Sequence, residues 1–182
     1  MCHQSGFSRA LALKLALLAL IPLVAFAGSY DRLDWPYWAD VDGDCQNTRA
    51  EILIAKNAGP LTLQGCRVVS GRWIGPYTGD VFINAGRLDI DHIVPLKEAH
   101  ISGGEHWTRA KKRAFANDPE NLLPVIARAN RSKGSKDPAK WMPPLARYHC
   151  EYAARWWLVK AKHRLTMDSA ERTKLLAILR DC

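Results

Sequence analysis

The stretch Leu88-Asp89-Ile90-Asp91-His92-Ile93-Val94-Pro95 constrains this chain more than any other. Its alternation places Leu88, Ile90 and His92 on one face of a strand and Asp89 and Asp91 on the other, and Pro95 closes it. A second short apolar strand, Asn121-Leu122-Leu123-Pro124-Val125, follows about thirty residues later. Ala127-Arg128-Ala129-Asn130-Arg131-Ser132-Lys133-Gly134 then reads as a helix that ends at a glycine. An acid and a histidine adjacent at a strand end can point to opposite sides of the backbone. One can hold a metal while the other works as a base beside it.

The ends of the chain set the compartment. Met1 to Lys14 carries Arg9 and Lys14 and no acid, Leu15 to Phe26 is almost wholly apolar, and Ala25-Phe26-Ala27 is a small-x-small pattern. This is a secretory signal peptide over residues 1–27, cleaved near Ala27. A membrane anchor is the competing reading, but the apolar run is short of the ~20 residues a span needs and Pro22 interrupts it. The mature chain of 182 − 27 = 155 residues, 28–182, is expected to form a single domain, secreted or periplasmic, monomeric, and without stable membrane association. Loss of Arg9 and Lys14 takes the formal charge from +8 to +6. Such a balance suits a polyanionic partner and also plain solubility.

Four cysteines remain, Cys45, Cys66, Cys150 and Cys182, an even count that points to two disulfides in an exported chain. Three pairings exist. Cys45–Cys66 and Cys150–Cys182 each bracket one local unit and are favoured, with about 3 kcal/mol expected from each. A tetracysteine zinc site is disfavoured because no C-x-x-C pair occurs.

Around the central stretch the chain reads as support. The aromatic run Trp35, Tyr37 and Trp38 suggests an arm pinned to the body by its rings. Asp40-Val41-Asp42-Gly43-Asp44 resembles the start of a calcium loop, with Glu51 at the twelfth position, but Cys45 replaces the glycine at the sixth. The plainer reading is a turn whose Asp44 caps a helix from about Gln46 to Asn57. Arg49 on that helix faces either the site or solvent. Leu61–Leu63 and Cys66–Ser70 read as strands with Gly71 as a turn, and Trp73-Ile74 and Val81–Ile83 as a hairpin that extends the sheet of the opening strand. Helices are expected at Lys97–His100, Trp107–Ala116, Leu145 to about Arg164, and from Asp168 to near Cys182, the last opened by a capping-box pattern. Glu98, Lys97 and His100 are weaker candidates for lining the site.

The chemistry of the central residues fits phosphodiester hydrolysis, which needs a base for water, a cation for the developing charge and something to hold the base in place. His92 suits the base, since an ordinary imidazole is largely neutral at physiological pH. Asp91 suits a hard divalent metal, Mg²⁺ first and Mn²⁺ second, and Asn130 offers a second oxygen. Asn121 is placed to orient the His92 ring or a neighbouring backbone segment. Arg131, Lys133 and Lys136 follow Asn130 and are placed to neutralise phosphates.

Taken together, Asp91-His92-Ile93-Val94-Pro95, Asn121-Leu122-Leu123 and Asn130-Arg131-Ser132-Lys133-Gly134 resemble the HNH, or His-Me finger, endonuclease motif. With Asp40-Val41-Asp42-Gly43-Asp44, Pro76-Tyr77-Thr78-Gly79 and Ala116-Asn117-Asp118-Pro119, the wider pattern is similar to small exported HNH proteins grouped with the nuclease domain of GmrSD-type restriction enzymes. The resemblance implies an α+β fold with a ββα-metal core over about 88–136, extra short antiparallel strands and flanking helices. It implies His92 as general base, Asp91 and Asn130 as metal ligands, Asn121 as the middle residue of the motif, and nucleic acid as substrate, DNA before RNA. The third motif position carries Asn130 where the family name has histidine, as in many relatives, and this favours an oxygen-ligated ion over zinc. The chain also lacks the paired C-x-x-C zinc motifs of some relatives. The alternative from another class, a noncatalytic exported nucleic-acid-binding protein, needs the same basic surface but not His92.

Overall fold

The computed structural model describes Met1 and residues 28–182. The expected secretory leader, apart from Met1, lies outside these described residues. The strand expected at Leu88 forms as β4 (Leu88–His92), and it pairs antiparallel with β5 (Leu122–Ile126), with Leu88 opposite Ile126 and His92 opposite Leu122. All five β5 residues are buried, as a continuous apolar run demands. Pro124, opposite Ile90, is tolerated because, among the described residues, β5 is bordered by a strand on one side only. Helix α4 (Ala127–Lys133) follows β5 directly, packs on both strands and stops at Gly134, whose φ of +56° glycine adopts freely.

The other strands form a separate sheet, which corrects the expectation that they extend β4. β1 (Thr62–Gln64), β2 (Arg67–Ile74) and β3 (Val81–Asn84) are antiparallel in the order β1-β2-β3, and among the described residues β4 pairs with β5 alone. A short 3-10 turn at Ala85–Arg87 separates β3 from β4 and redirects the chain. Gly71 is not a turn. β2 runs through it with a register irregularity, and a Cβ there would lie 2.6 Å from the Trp73 ring and 2.7 Å from Asn57 Oδ1. The glycine is needed for close approach, since Asn57 accepts from the Arg72 N–H on the next residue.

Helix α1 (Thr48–Ala55) begins later than expected. Its cap is Asn47, whose side chain accepts from the Ala50 N–H, while Asp44 is engaged by the Gln46 N–H and Cys45 takes a left-handed φ of +73° that no helix continues through. Helices α2 (Leu96–Ile101), α3 (Arg109–Ala116), α5 (His149–His163) and α6 (Ser169–Arg180) match the expected segments within a few residues. The Asp168 side chain caps α6 at the Glu171 N–H. Tyr152, Trp156 and Val159 form the buried stripe of α5, and Lys160 joins them. Its ammonium meets Glu98 of α2 at 2.7 Å and Glu171 of α6, so one buried cation ties three helices together. The buried apolar residues form one cluster that includes Trp35, Trp73, Tyr77, Phe115 and Trp156. Both expected disulfides are present, Cys45–Cys66 and Cys150–Cys182. Among the described residues no helix is long and apolar enough to cross a membrane.

Candidate active site

β4 delivers Asp91 and His92 to one end of the ribbon, and α4 returns Asn130 to the same place. A cleft of about 370 Å³ is lined by Asp91, His92, Asn130, Arg131, Arg32 and Lys97, among others. The strand–strand–helix order therefore gathers four of the expected site residues, Asp91, His92, Asn130 and Arg131, on one concave surface.

His92 is buried, and its Nε2–H donates to the Ala116 carbonyl at 2.8 Å. A carbonyl only accepts, so this bond sets the tautomer and leaves Nδ1 with the lone pair. Trp38 stacks on the ring at a centroid distance of 6.1 Å and an interplanar angle of 22°. Burial pushes the imidazole down to about 4, against the Ala116 hydrogen bond, with the nearby charges of Arg32 and Lys133 adding to the depression. The ring is thus neutral across the physiological range.

Asp91 is also buried, and its carboxylate is held on both sides. The Tyr77 O–H donates to Oδ2 at 2.6 Å, and Lys133 Nζ lies 3.0 Å from Oδ1 and 2.9 Å from Oδ2. The same ammonium donates to the His92 carbonyl at 2.7 Å. Burial pushes the Asp91 carboxyl up, and the charge of Lys133 and the bonds from Tyr77 and Lys133 pull it back. Burial pulls Lys133 down, with Asp91 opposing. Tyr77 is raised well above its ordinary value by burial and by Asp91, so it keeps its proton and donates.

Asn121 is fully buried and clamps the backbone, not the histidine ring. Its Oδ1 accepts from the Val94 N–H at 2.8 Å, its Nδ2 donates to the Val94 carbonyl at 3.1 Å, and its own carbonyl accepts from the Ile93 N–H at 2.8 Å. The segment that leaves β4 is pinned in this way directly after His92. Asn130 donates from Nδ2 to Asp89 Oδ2 at 3.0 Å. A carboxylate accepts only, so this bond turns the Asn130 carbonyl oxygen away from Asp89 and leaves it free to act.

The basic residues after Asn130 separate. Arg131 is exposed and lines the cleft. Lys133 is fully buried on Asp91, so its ammonium is not presented to solvent as the basic run suggested. Lys136 is exposed, donates to the Ser132 carbonyl and lies outside the cleft lining. His100 is buried and donates to the Gly28 carbonyl, and Glu98 is engaged with Lys160 and Ser102; neither lines the cleft. The carboxylates of Asp40, Asp42 and Asp44 lie within 4.8 Å of one another, exposed, with Asp40 accepting from the Gly43 and Cys45 N–H groups.

Three contributors escaped the sequence reading. Trp38 reaches the site from the N-terminal arm and Tyr77 from the Pro76–Gly79 stretch of the wider family pattern, but nothing local shows that either meets Asp91 or His92. Asp89 carries a signal, since alternation places it on the same face as Asp91, and it orients Asn130.

Asp91 and Asn130 are the oxygen donors of the cleft that a hard divalent cation would use. Tyr77 and Lys133 occupy three of about four acceptor positions on the Asp91 carboxylate, and among the described residues none donates to the Asn130 oxygen. Two protein oxygens, with water and phosphate completing the shell, is the coordination Mg²⁺ tolerates.

The chain also resembles known proteins over most of its length. The model of the GmrSD restriction endonucleases' C-terminal domain matches residues 56–178. The chain belongs to this family. It is also 37% identical over 155 residues to a protein of Arthroderma benhamiae described as an uncharacterized secreted protein, a match that covers 84% of this chain and 76% of the relative. No solved structure matches. The span shared with the GmrSD C-terminal domain contains Tyr77, Asp89, Asp91, His92, Asn121, Asn130 and Lys133, whereas Arg32, Trp38 and Arg49 precede it.

Proposed function

We propose that this member of the GmrSD C-terminal family is an exported, metal-dependent HNH endonuclease whose β4-β5-α4 unit is a ββα-metal finger. The observation that carries the reading is the His92 tautomer: Nε2–H is committed to the Ala116 carbonyl, and Nδ1 is left as a base in the cleft that Asp91 and Asn130 share. Export rests on the leader pattern, the two disulfides and the secreted relative.

In this mechanism His92 Nδ1 takes a proton from water, and the resulting hydroxide attacks the phosphorus. As the ring gains charge, the Nε2–H bond to Ala116 strengthens and keeps the imidazolium in place. Asp91 and Asn130 would hold Mg²⁺ or Mn²⁺, which supplies positive charge against the charge developing on the phosphate and the leaving 3′ oxygen. Tyr77 and Lys133 keep the Asp91 carboxylate in one orientation, and Asp89 does the same for the Asn130 amide. Arg131 and Arg32, at the mouth of the cleft, neutralise the bound phosphodiester. DNA is the preferred substrate class, RNA the alternative.

Plasmid nicking by the purified mature protein tests this. Activity is expected with Mg²⁺ or Mn²⁺, abolished by EDTA and restored by added metal. His92→Ala is expected to lose at least ~100-fold in rate while keeping its circular dichroism spectrum and DNA affinity. Cleavage that resists EDTA, or wild-type cleavage by His92→Ala, overturns the mechanism. Binding without cleavage by the unaltered protein establishes a noncatalytic role instead.

A further inference from the structure

A second concave site lies near the start of β4, and nothing in the mechanism uses it. It is a cavity of about 580 Å³ between the first turn of α1 and the start of β2, floored by the Cys45–Cys66 disulfide. Its polar wall consists of Asn47, Arg49, Gln64 and Arg67, and among the described residues no carboxylate lines it. Two guanidinium groups facing one cavity repel, and each ordinarily finds an acid. Here neither Arg49 nor Arg67 makes an ion pair among the described residues. Arg49 is half-buried and spends one nitrogen on the Ala85 and Leu88 carbonyls, at 3.1 and 2.8 Å, which fixes its plane. Arg67 is exposed.

We propose that this cavity is a phosphate subsite, in which Arg49 and Arg67 bind the backbone of the nucleic-acid substrate at a position flanking the scissile phosphodiester. The proposal rests on the endonuclease reading and adds where the strand runs. A fork of guanidinium donors is the chemistry that recognises phosphate, and Arg49 is pre-oriented for it. Burial lowers the Arg49 guanidinium, Asp89 opposes this and Arg67 adds to it, so the two cations sense each other directly and a bound anion relieves both.

Position supports the assignment. Arg49 is bonded to the Leu88 carbonyl at the start of β4, and Asp91 lies three residues further along the strand. At ~3.4 Å per residue that is roughly 10 Å. Phosphates recur every ~3.4 Å along the duplex axis and stand further apart in space, so a flanking phosphate within about three nucleotides spans the gap. Between the two sites stands the Asp89–Asn130 bond, a negative partition that would hold the backbone off the middle and direct its phosphates to either end.

The test uses the His92→Ala protein, so that bound DNA is not cut, with a fluorescently labelled duplex measured by anisotropy over a salt series. Arg67→Gln is the variant, because Arg67 is exposed and its loss leaves the fold intact; Arg180→Gln on α6 is the charge-matched control. Arg67→Gln is expected to raise Kd severalfold and to reduce the slope of log K against log salt by about one, while Arg180→Gln leaves the slope unchanged. Titration with inorganic phosphate separates a backbone subsite from a site for the free anion. Tight phosphate binding that Arg67→Gln removes, with the duplex slope unchanged, overturns the proposal in favour of a free-anion site. Equal slopes for Arg67→Gln and its parent on a duplex that both bind overturn the subsite alone. Failure of the parent to bind nucleic acid at all removes the endonuclease reading as well.

Discussion

Lys133 illustrates how one residue changes meaning between sequence and structure. In the run Arg131, Lys133, Lys136 it reads as a phosphate contact. On α4, however, Lys133 is three residues from Asn130, so both project from the face that packs on β4, and Lys136 falls beyond the glycine that ends the helix. The ammonium is therefore driven inside, where it neutralises Asp91 and fixes the His92 carbonyl. Removing one member of a buried ion pair strands the other. Lys133→Met is expected to cost about 3–5 kcal/mol, and Tyr77→Phe, which removes one hydrogen bond to the same carboxylate, about 1–3 kcal/mol. Adding Asp91→Asn to Lys133→Met is expected to restore much of the loss. Urea unfolding midpoints measure all three. A Lys133→Met protein within ~1 kcal/mol of wild type would show that Asp91 needs no internal counter-charge. That Asp91, His92 and Asn130 meet in one cleft was legible because the first two end a strongly patterned strand and Asn130 lies on the helix that follows another. Tyr77, Trp38 and the Ala116 carbonyl were not, because their proximity is created by tertiary folding alone.

Among the elements, the segment between α3 and β5 carries most of the site's alignment. Ala116, whose carbonyl holds His92, is the last residue of α3, and Asn121 closes the 3-10 turn Pro119–Asn121. Asp118 fastens this segment to α5. Its carboxylate accepts from Lys162 and lies 2.7 Å from His163 Nε2, and it caps the turn at the Glu120 N–H. Burial alone would raise Asp118, but the hydrogen bonds from His163, Lys162 and Glu120 outweigh it and hold the carboxyl at about 2. A depressed carboxyl stabilises the fold above its unfolded value near 3.8, and that contribution is lost as pH falls from about 4 towards 2. With the screening that half-exposed Lys162 permits, it amounts to about 1–2 kcal/mol. Asp118→Asn is thus expected to be destabilised by that amount at pH 6, with the gap to wild type closing towards pH 2.5. A gap independent of pH would assign the loss to turn geometry instead of charge. The existence of α3, β5 and α4 was readable from hydrophobic period and breakers. That β1–β3 form their own sheet was not, because hairpin patterns specify neighbours in sequence and the 3-10 turn before β4 has no strong signature.

Across the whole molecule, each disulfide closes a region that the core holds weakly. Cys45–Cys66 joins the loop before α1 to the start of β2, both largely exposed, and forms the floor of the arginine cavity. Cys150–Cys182 joins the first turn of α5 to the chain end, where α6 buries only Glu171 and Leu175 fully. The cysteine pairing was legible because each pair brackets one local unit, and the structure agrees. The sequence separations are 21 and 32 residues, for which chain entropy gives about 3 and 4 kcal/mol respectively. The two bonds are expected to act on different functions. Cys150→Ser with Cys182→Ser should lower Tm and free α6 from α5, loosening the Lys160–Glu171 contact, while DNA affinity stays unchanged because neither cleft includes these residues. Cys45→Ser with Cys66→Ser should lower Tm by a similar amount and also weaken DNA binding, because Arg67 follows Cys66 directly and loses its fixed position opposite Arg49. Differential scanning calorimetry and anisotropy on the two double variants separate these outcomes. Equal affinity in both would mean that β2 is positioned by its strand pairing alone and that the disulfide contributes only to stability.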